Sequence, residues 1–186
     1  MVIKKLSAAL ALLSIAFLLV HIGYSVFAYL TMYYNPQLKL LTAVPTLVAV
    51  CLHAVFGMIS VFTQADGTRL DLYGTQNRRT VLQRVTAALI FPLLILHMNT
   101  FGLMSSAAEQ AQPALVLLLI LAEILFFAVV IAHVAVSLSK AFVTLGWVGS
   151  KETLRRMDRV AYVVGAVLFV VSAFAIVKTQ MAMFLG

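Results

Sequence analysis

The sequence predicts an all-α integral membrane protein of five transmembrane helices, and three observations carry that prediction. Apolar residues make up 63% of the 186 residues and charged residues 10%, against roughly 45–50% and 25% in soluble domains. A mean hydropathy of +1.08 leaves too little polar surface to coat a water-facing globule. The apolar residues also gather into five runs, each near the length that a bilayer core of roughly 30 Å demands of a helix, about 20 residues. Collagen, disordered chains, disulfide scaffolds and nucleic-acid modules are excluded together.

The first span, Leu6–Leu30, follows Lys4 and Lys5, a start that resembles the charged region of a signal peptide. Its apolar stretch exceeds the roughly 7–15 residues of a signal core, and four more spans follow, so it reads as a retained first helix. The connector Thr31–Lys39 holds the turn signal Asn35-Pro36 and leads to the second span, Leu41–Phe62. The third, Val81–Leu103, contains Pro92, which removes a helical hydrogen bond and is expected to kink or locally open the helix. After Met104–Pro113, where Pro113 suits a helix start, come the fourth span, Ala114–Leu138, and the fifth, Val160–Ile176. No internal repeat, low-complexity run or second domain interrupts them, so residues 1–186 read as one membrane domain.

The net charge of +7 is chiefly an orientation signal. Lys4, Lys5, Arg69, Arg78, Arg79, Arg84, Lys140, Lys151, Arg155, Arg156 and Arg159 belong to one side of the five-span topology, leaving Lys39 and Lys178 for the other. The positive-inside rule then puts the amino terminus inside and the carboxyl terminus outside. A basic inner face also offers a docking surface for a soluble partner, with Arg78, Arg79, Arg155 and Arg156 as its cations. Cys51 is the single cysteine and no Cys-x-x-Cys-His occurs, which excludes an internal disulfide and covalent c-type haem attachment.

The chemistry concentrates in four histidines, His21, His53, His97 and His133, one in each of the first four spans. Ionisable groups at membrane depth are costly and functional by default, whereas a lone one often only bridges helices. At 1.5 Å per residue, His21 and His97 lie ~20 Å from the inner boundary and His53 and His133 roughly 8–15 Å from it. Two pairs at two depths, each drawn from two helices, suit bis-imidazole ligation of two b-type haems inside a four-helix bundle. A zinc or copper site would call for three or four ligands at one depth.

Around them, Gly57 and Ser60 share a face with His53, Ser25 follows His21 at i+4 and Ser137 follows His133 at i+4. Small residues there admit a flat porphyrin, and they also serve ordinary helix packing. Arg84, at the inner start of the third span, and Lys140, two turns beyond His133, are placed to meet haem propionates, or to snorkel toward headgroups. Glu123 is the only acid inside a span. With Tyr24, Asn99 and Thr100 it is a candidate for a quinone pocket near the outer haem, because quinone carbonyls need donors and protons; proton transfer and plain pairing with a polar partner are the other readings of Glu123.

The stretch Leu52-His53-Ala54-Val55-Phe56-Gly57, then Tyr73-Gly74, Asn77-Arg78 and Leu82-Gln83-Arg84-Val85-Thr86-Ala87 before His97 resembles the dihaem cytochrome b anchor of succinate dehydrogenases and fumarate reductases, in its single-chain, five-helix kind. The tail from His133 through Phe142-Val143-Thr144-Leu145-Gly146 to Val177-Lys178 looks similar too. The resemblance covers most of residues 41–180. The departures are Ala87 in place of a glycine, Ile131 where some members carry an acid, and only Val2-Ile3-Lys4-Lys5 where the family often has an Arg/His/Ser cluster.

The resemblance implies an inner haem on His53 and His133 and an outer haem on His21 and His97. It implies a flavoprotein and an iron–sulfur subunit on the cytoplasmic face, a membrane quinone (menaquinone is expected) and a place in the cell's inner (cytoplasmic) membrane. The chain would then be an electron-transfer and quinone-reactive subunit, not a catalyst alone. The rivals are another dihaem cytochrome b anchor, such as that of a hydrogenase or formate dehydrogenase, and a haem-free multi-pass protein with structural histidines. The first rival commonly puts two histidines on one helix, which this chain never does.

Overall fold

Each apolar run becomes a helix longer than itself. In this computed structural model, which describes residues 2–63 and 74–186 (the side chains of 74–76 apart), the helices are α1 (Val2–Thr31), α2 (Pro36–Thr63), α3 (Gly74–Glu109), α4 (Pro113–Leu145) and α5 (Lys151–Phe184). All five are long and apolar enough to cross a membrane. With 28 residues in the shortest and 36 in the longest, they measure about 42–54 Å and outreach the hydrocarbon core.

The added length is charged sequence. Of the expected connector Ser139–Arg159, only Gly146–Ser150 lies outside helix. Lysine, arginine, glutamate and leucine are strong helix formers, so the helices continue until a specific stop. At the end of α4 that stop is Gly146, at φ +81°, a left-handed conformation that glycine adopts without steric cost. Its N–H bonds Val143 O (3.0 Å) and the next N–H, of Trp147, reaches back to Phe142 O (3.0 Å). Helix α5 restarts at Ser150, whose hydroxyl accepts the Thr153 N–H at 3.1 Å. The connector before the third span is shortened likewise, since α3 begins at Gly74; Arg69 and Tyr73 lie outside the described residues.

The turn at Asn35-Pro36 is where expected. Pro36 opens α2 while the Asn35 side chain accepts the N–H groups of Gln37 (2.9 Å) and Leu38 (3.1 Å). Pro113 likewise opens α4, there without a side-chain cap from Gln112. Helix α3 remains one helix through Pro92, as α2 does through Pro45.

Successive helices run antiparallel. Helix α1 packs on α2, α3 on α4 and α4 on α5, with α1 also against α4 and α5. The backbone of α2 packs against α1 alone, and α1 does not pack against α3. Helices α4 and α5 approach closely at Gly165, where an added Cβ would stand 3.0 Å from Ile131 Cγ2. The most buried apolar cluster, Met104, Ala107, Val116, Leu119, Ile120 and Ile176, joins α3, α4 and α5. Outward-facing leucines, valines and phenylalanines such as Val20, Leu118, Leu121, Val167 and Phe174 are widely exposed, as a surface wetted by lipid requires.

Antiparallel alternation creates two unlike ends. One carries the start of α1 and the α2–α3 and α4–α5 junctions; its exposed cations include Lys4, Lys5, Arg78, Lys151, Arg155, Arg156 and Arg159. It is called the basic end below. The α1–α2 and α3–α4 turns form the far end.

Candidate functional site

All four histidines are held through the same ring nitrogen. Nδ1 of His53 lies 3.0 Å from Ser7 O, and Nδ1 of His133 lies 3.1 Å from Gln83 O. Carbonyls only accept, so in both rings the proton sits on Nδ1. His97 Nδ1 meets Glu123 Oε2 at 2.8 Å, again an acceptor. His21 Nδ1 meets Thr42 Oγ1 at 3.3 Å, and the Thr42 hydroxyl already donates to Leu38 O (3.0 Å), so it too accepts. In the neutral form of each ring Nε2 is therefore the lone-pair nitrogen. None has a partner among the described residues, and this tautomer is the one that binds metals.

The histidines form two pairs. His21 on α1 and His97 on α3 are electrostatic neighbours, as are His53 on α2 and His133 on α4. Both pairs reach across seams where the helix backbones do not pack: no Cα of α1 comes within 8 Å of α3, and none of α2 within 8 Å of α4. Packed helices stand 8–10 Å apart axis to axis, so these seams are wider. Each ring is only half-buried. Among the described residues no three of His, Cys, Asp and Glu converge on one point, so the arrangement is one of pairs.

The basic-end pair sits in a cationic, hydrogen-bonded frame. The Leu82-Gln83-Arg84-Val85-Thr86 element acquires a physical reading there. Gln83 O and Thr86 Oγ1 (3.0 Å) both hold His133 Nδ1, while the Gln83 side chain accepts from Lys140 Nζ at 3.1 Å. Lys140 also donates to Thr80 Oγ1 (3.0 Å). Both of these partners are neutral, and Arg79 and Arg84 are its charged neighbours. Ser60 is half-buried with no hydrogen-bond partner among the described residues. A Cβ on Gly57 would meet only the Ser7 hydroxyl, at 3.8 Å, so space is open one turn from His53.

Arg79 is not an outward docking cation. Its guanidinium grips Asp158 through two bonds (2.7 and 2.8 Å), Val136 O (2.7 Å) and Ser139 Oγ (2.8 Å). This lock ties α3, α4 and α5 together at the basic end. Lys4, Lys5, Arg78, Arg155 and Arg156 remain exposed.

The far-end pair has a different frame. Glu123 is buried (4% exposed) with its carboxylate on His97. The His97 ring stacks on Phe126 (centroids 4.8 Å apart, planes at 24°) and meets Phe127 edge-on at 6.3 Å. Tyr29 is an electrostatic neighbour of Glu123, and its hydroxyl accepts from Gln180 Nε2 at 3.4 Å. The Gln180 Oε1 atom is buried, with no partner among the described residues.

The remaining candidates are bonded locally. Tyr24 OH donates to Asn35 O (2.8 Å) and accepts from Asn35 N (3.0 Å), stapling the α1–α2 turn. The exposed Asn99 amide bonds Ile95 O, and the buried Thr100 hydroxyl bonds Leu96 O.

Sequence reasoning named the four rings, Glu123 and Lys140 but missed Ser7, Thr42, Tyr29 and Gln180 as their neighbours. Ser7 and Thr42 carry a signal in hindsight: each occupies the depth at which an antiparallel neighbour presents a histidine. Compared with known proteins, the chain matches no family model, no curated protein and no solved structure.

Proposed function

We propose that this chain is the membrane-anchor cytochrome b subunit of a succinate:quinone oxidoreductase, a succinate dehydrogenase or fumarate reductase. In that role it carries electrons between an iron–sulfur subunit and membrane quinone through two b haems. The observation that carries the reading is the set of four Nδ1-held imidazoles, paired across two seams where helices stand apart. Structural histidines would have no need to keep four bare Nε2 atoms. Bis-imidazole ligation needs all four, together with room for a flat group between the paired helices.

The donor set fits that group. His53 and His133 would hold one haem, His21 and His97 the other, and each haem when bound supplies a one-electron iron couple. Ser7, Gln83, Thr86, Thr42 and Glu123 fix the rings and their tautomers. Lys140 and Arg84 stand at the basic end as cations for propionate carboxylates. The apolar helix surfaces exclude water, and the exposed cations of the basic end form a face for the flavoprotein and iron–sulfur subunits. By the positive-inside rule that face would lie in the cytoplasm with the amino terminus inside, and the proposed role would set the protein in the inner (cytoplasmic) membrane.

The test is a reduced-minus-oxidised spectrum of the purified chain with a haem assay. Two b haems per chain are expected, and absence of a reduced b-type α-band overturns the proposal. Succinate–quinone electron flow in the intact complex then separates this anchor from those of other respiratory oxidoreductases, which would not respond to succinate.

A further inference from the structure

Three of the four histidines give their Nδ1 proton to neutral oxygens: the Ser7 carbonyl, the Gln83 carbonyl with the Thr86 hydroxyl, and the Thr42 hydroxyl. The fourth, His97, gives it to a carboxyl oxygen of Glu123 at 2.8 Å. Glu123 is one of six acidic residues in the chain, and at 4% exposure it sits well inside the bundle. Such an acid is costly in hydrocarbon, and its retention there is by default a sign of function.

Glu123 is also oriented for one purpose. Helices α3 and α4 pack antiparallel, which brings residues 97 and 123 opposite each other although 26 positions separate them. Phe126, one turn after Glu123 on α4, stacks on the same imidazole, and Phe127 meets its edge. The ring is therefore fixed in plane by two aromatic side chains and in rotation by the carboxylate. The other three rings form no aromatic ring contact among the described residues.

We infer that Glu123 is a positioning residue which makes the far-end histidine pair a stronger electron donor than the basic-end pair. An anionic acceptor draws the Nδ1 proton away from the ring and raises the basicity of Nε2. A more basic ligand favours the ferric over the ferrous state. The far-end haem, which rests on the function proposed above, is thereby held at a lower potential than its imidazoles alone would set. The neutral acceptors at His53, His133 and His21 exert no such pull.

The experiment is a redox titration of the purified two-haem protein with electron paramagnetic resonance of its oxidised state, for the parent chain and for Glu123→Gln. Glutamine keeps an acceptor oxygen and the volume while removing the charge. The midpoint potential of one haem is expected to rise by at least a tenfold change in the ferric-to-ferrous preference, about 60 mV for a one-electron couple. Its low-spin ferric signal shifts with it, and the other haem stays where it was. Two unmoved potentials, or two that move together, overturn the inference while leaving the haem reading intact. A parent chain without haem overturns the proposed function itself. If Glu123→Gln loses the far-end haem, Glu123→Asp, which keeps the carboxylate, is expected to restore it. Equal loss from both variants makes Glu123 a packing residue and overturns the inference.

Discussion

The two halves of the bundle hold the same pair of imidazoles in opposite electrostatic surroundings. At the basic end, His53 and His133 rest on a carbonyl each, with Lys140, Arg84 and Arg79 close by. Toward the far end, His97 rests on a buried carboxylate and packs against Phe126 and Phe127. Beside the basic-end pair the nearby charges are cations, whereas the far end sets the Glu123 carboxylate on His97 and Lys39 near His21. Helix polarity alone does not explain this, because both pairs use the same type of ligand and the same tautomer. The difference lies in what surrounds identical ligands, and in a low-dielectric interior such surroundings are felt strongly.

The largest test breaks the comparison by removing one half. Under the proposed function, His53→Ala is expected to halve the haem content and leave one bis-imidazole spectrum. His97→Ala should halve it as well and leave the other spectrum. Haem-to-protein ratios and low-temperature spectra of the two variants measure this. If each variant loses both haems while the protein stays folded, the two pairs are not independent sites.

A second test concerns the frame that holds the basic half. Arg79→Ala removes four hydrogen bonds and leaves Asp158 without its cation. Both side chains are about one-quarter exposed, so the cost falls below that of a fully buried pair, at about 1–3 kcal/mol. A lower thermal midpoint in detergent is the expected result. The double variant Arg79→Ala/Asp158→Ala should recover part of the loss, because no charge is then left unpaired. A midpoint unchanged in Arg79→Ala would mean that the lock adds nothing to the α3–α4–α5 junction.

These expectations show which parts of the site could be seen in the sequence. The spans and the four rings were legible, because apolar runs and intramembrane histidines are local signals. The helix ends were less so: Ser139–Arg159 looks like a loop by charge, yet its residues favour helix until Gly146 and resume it after Ser150. Contacts between helices were the least legible. Glu123 stands out as an intramembrane acid, open to a quinone site, to proton transfer or to pairing with a polar partner, but nothing along the chain names His97 as that partner. Arg79 counted as one more surface cation until Asp158, 79 residues later, closed on it. Gln83 and Thr86 were visible as a motif, and only the packing of α3 on α4 gives that motif the task of holding His133.

The smallest effect sharpens the comparison most, because it should have the opposite sign to the change at Glu123. Lys140 donates to Thr80 Oγ1 and the Gln83 side chain, and Gln83 O holds His133. A cation there favours the ferrous state, in which the site carries one positive charge fewer. Lys140→Met keeps much of the apolar stem and removes the charge, so the potential of the basic-end haem should fall. At an effective dielectric near 20 the change is on the order of 1 kcal/mol. Redox titration in low salt measures it. Neutralising a cation at one end and an anion at the other should move the two haems in opposite directions. Movement in the same direction would mean that a change in global packing, not local charge, sets both potentials.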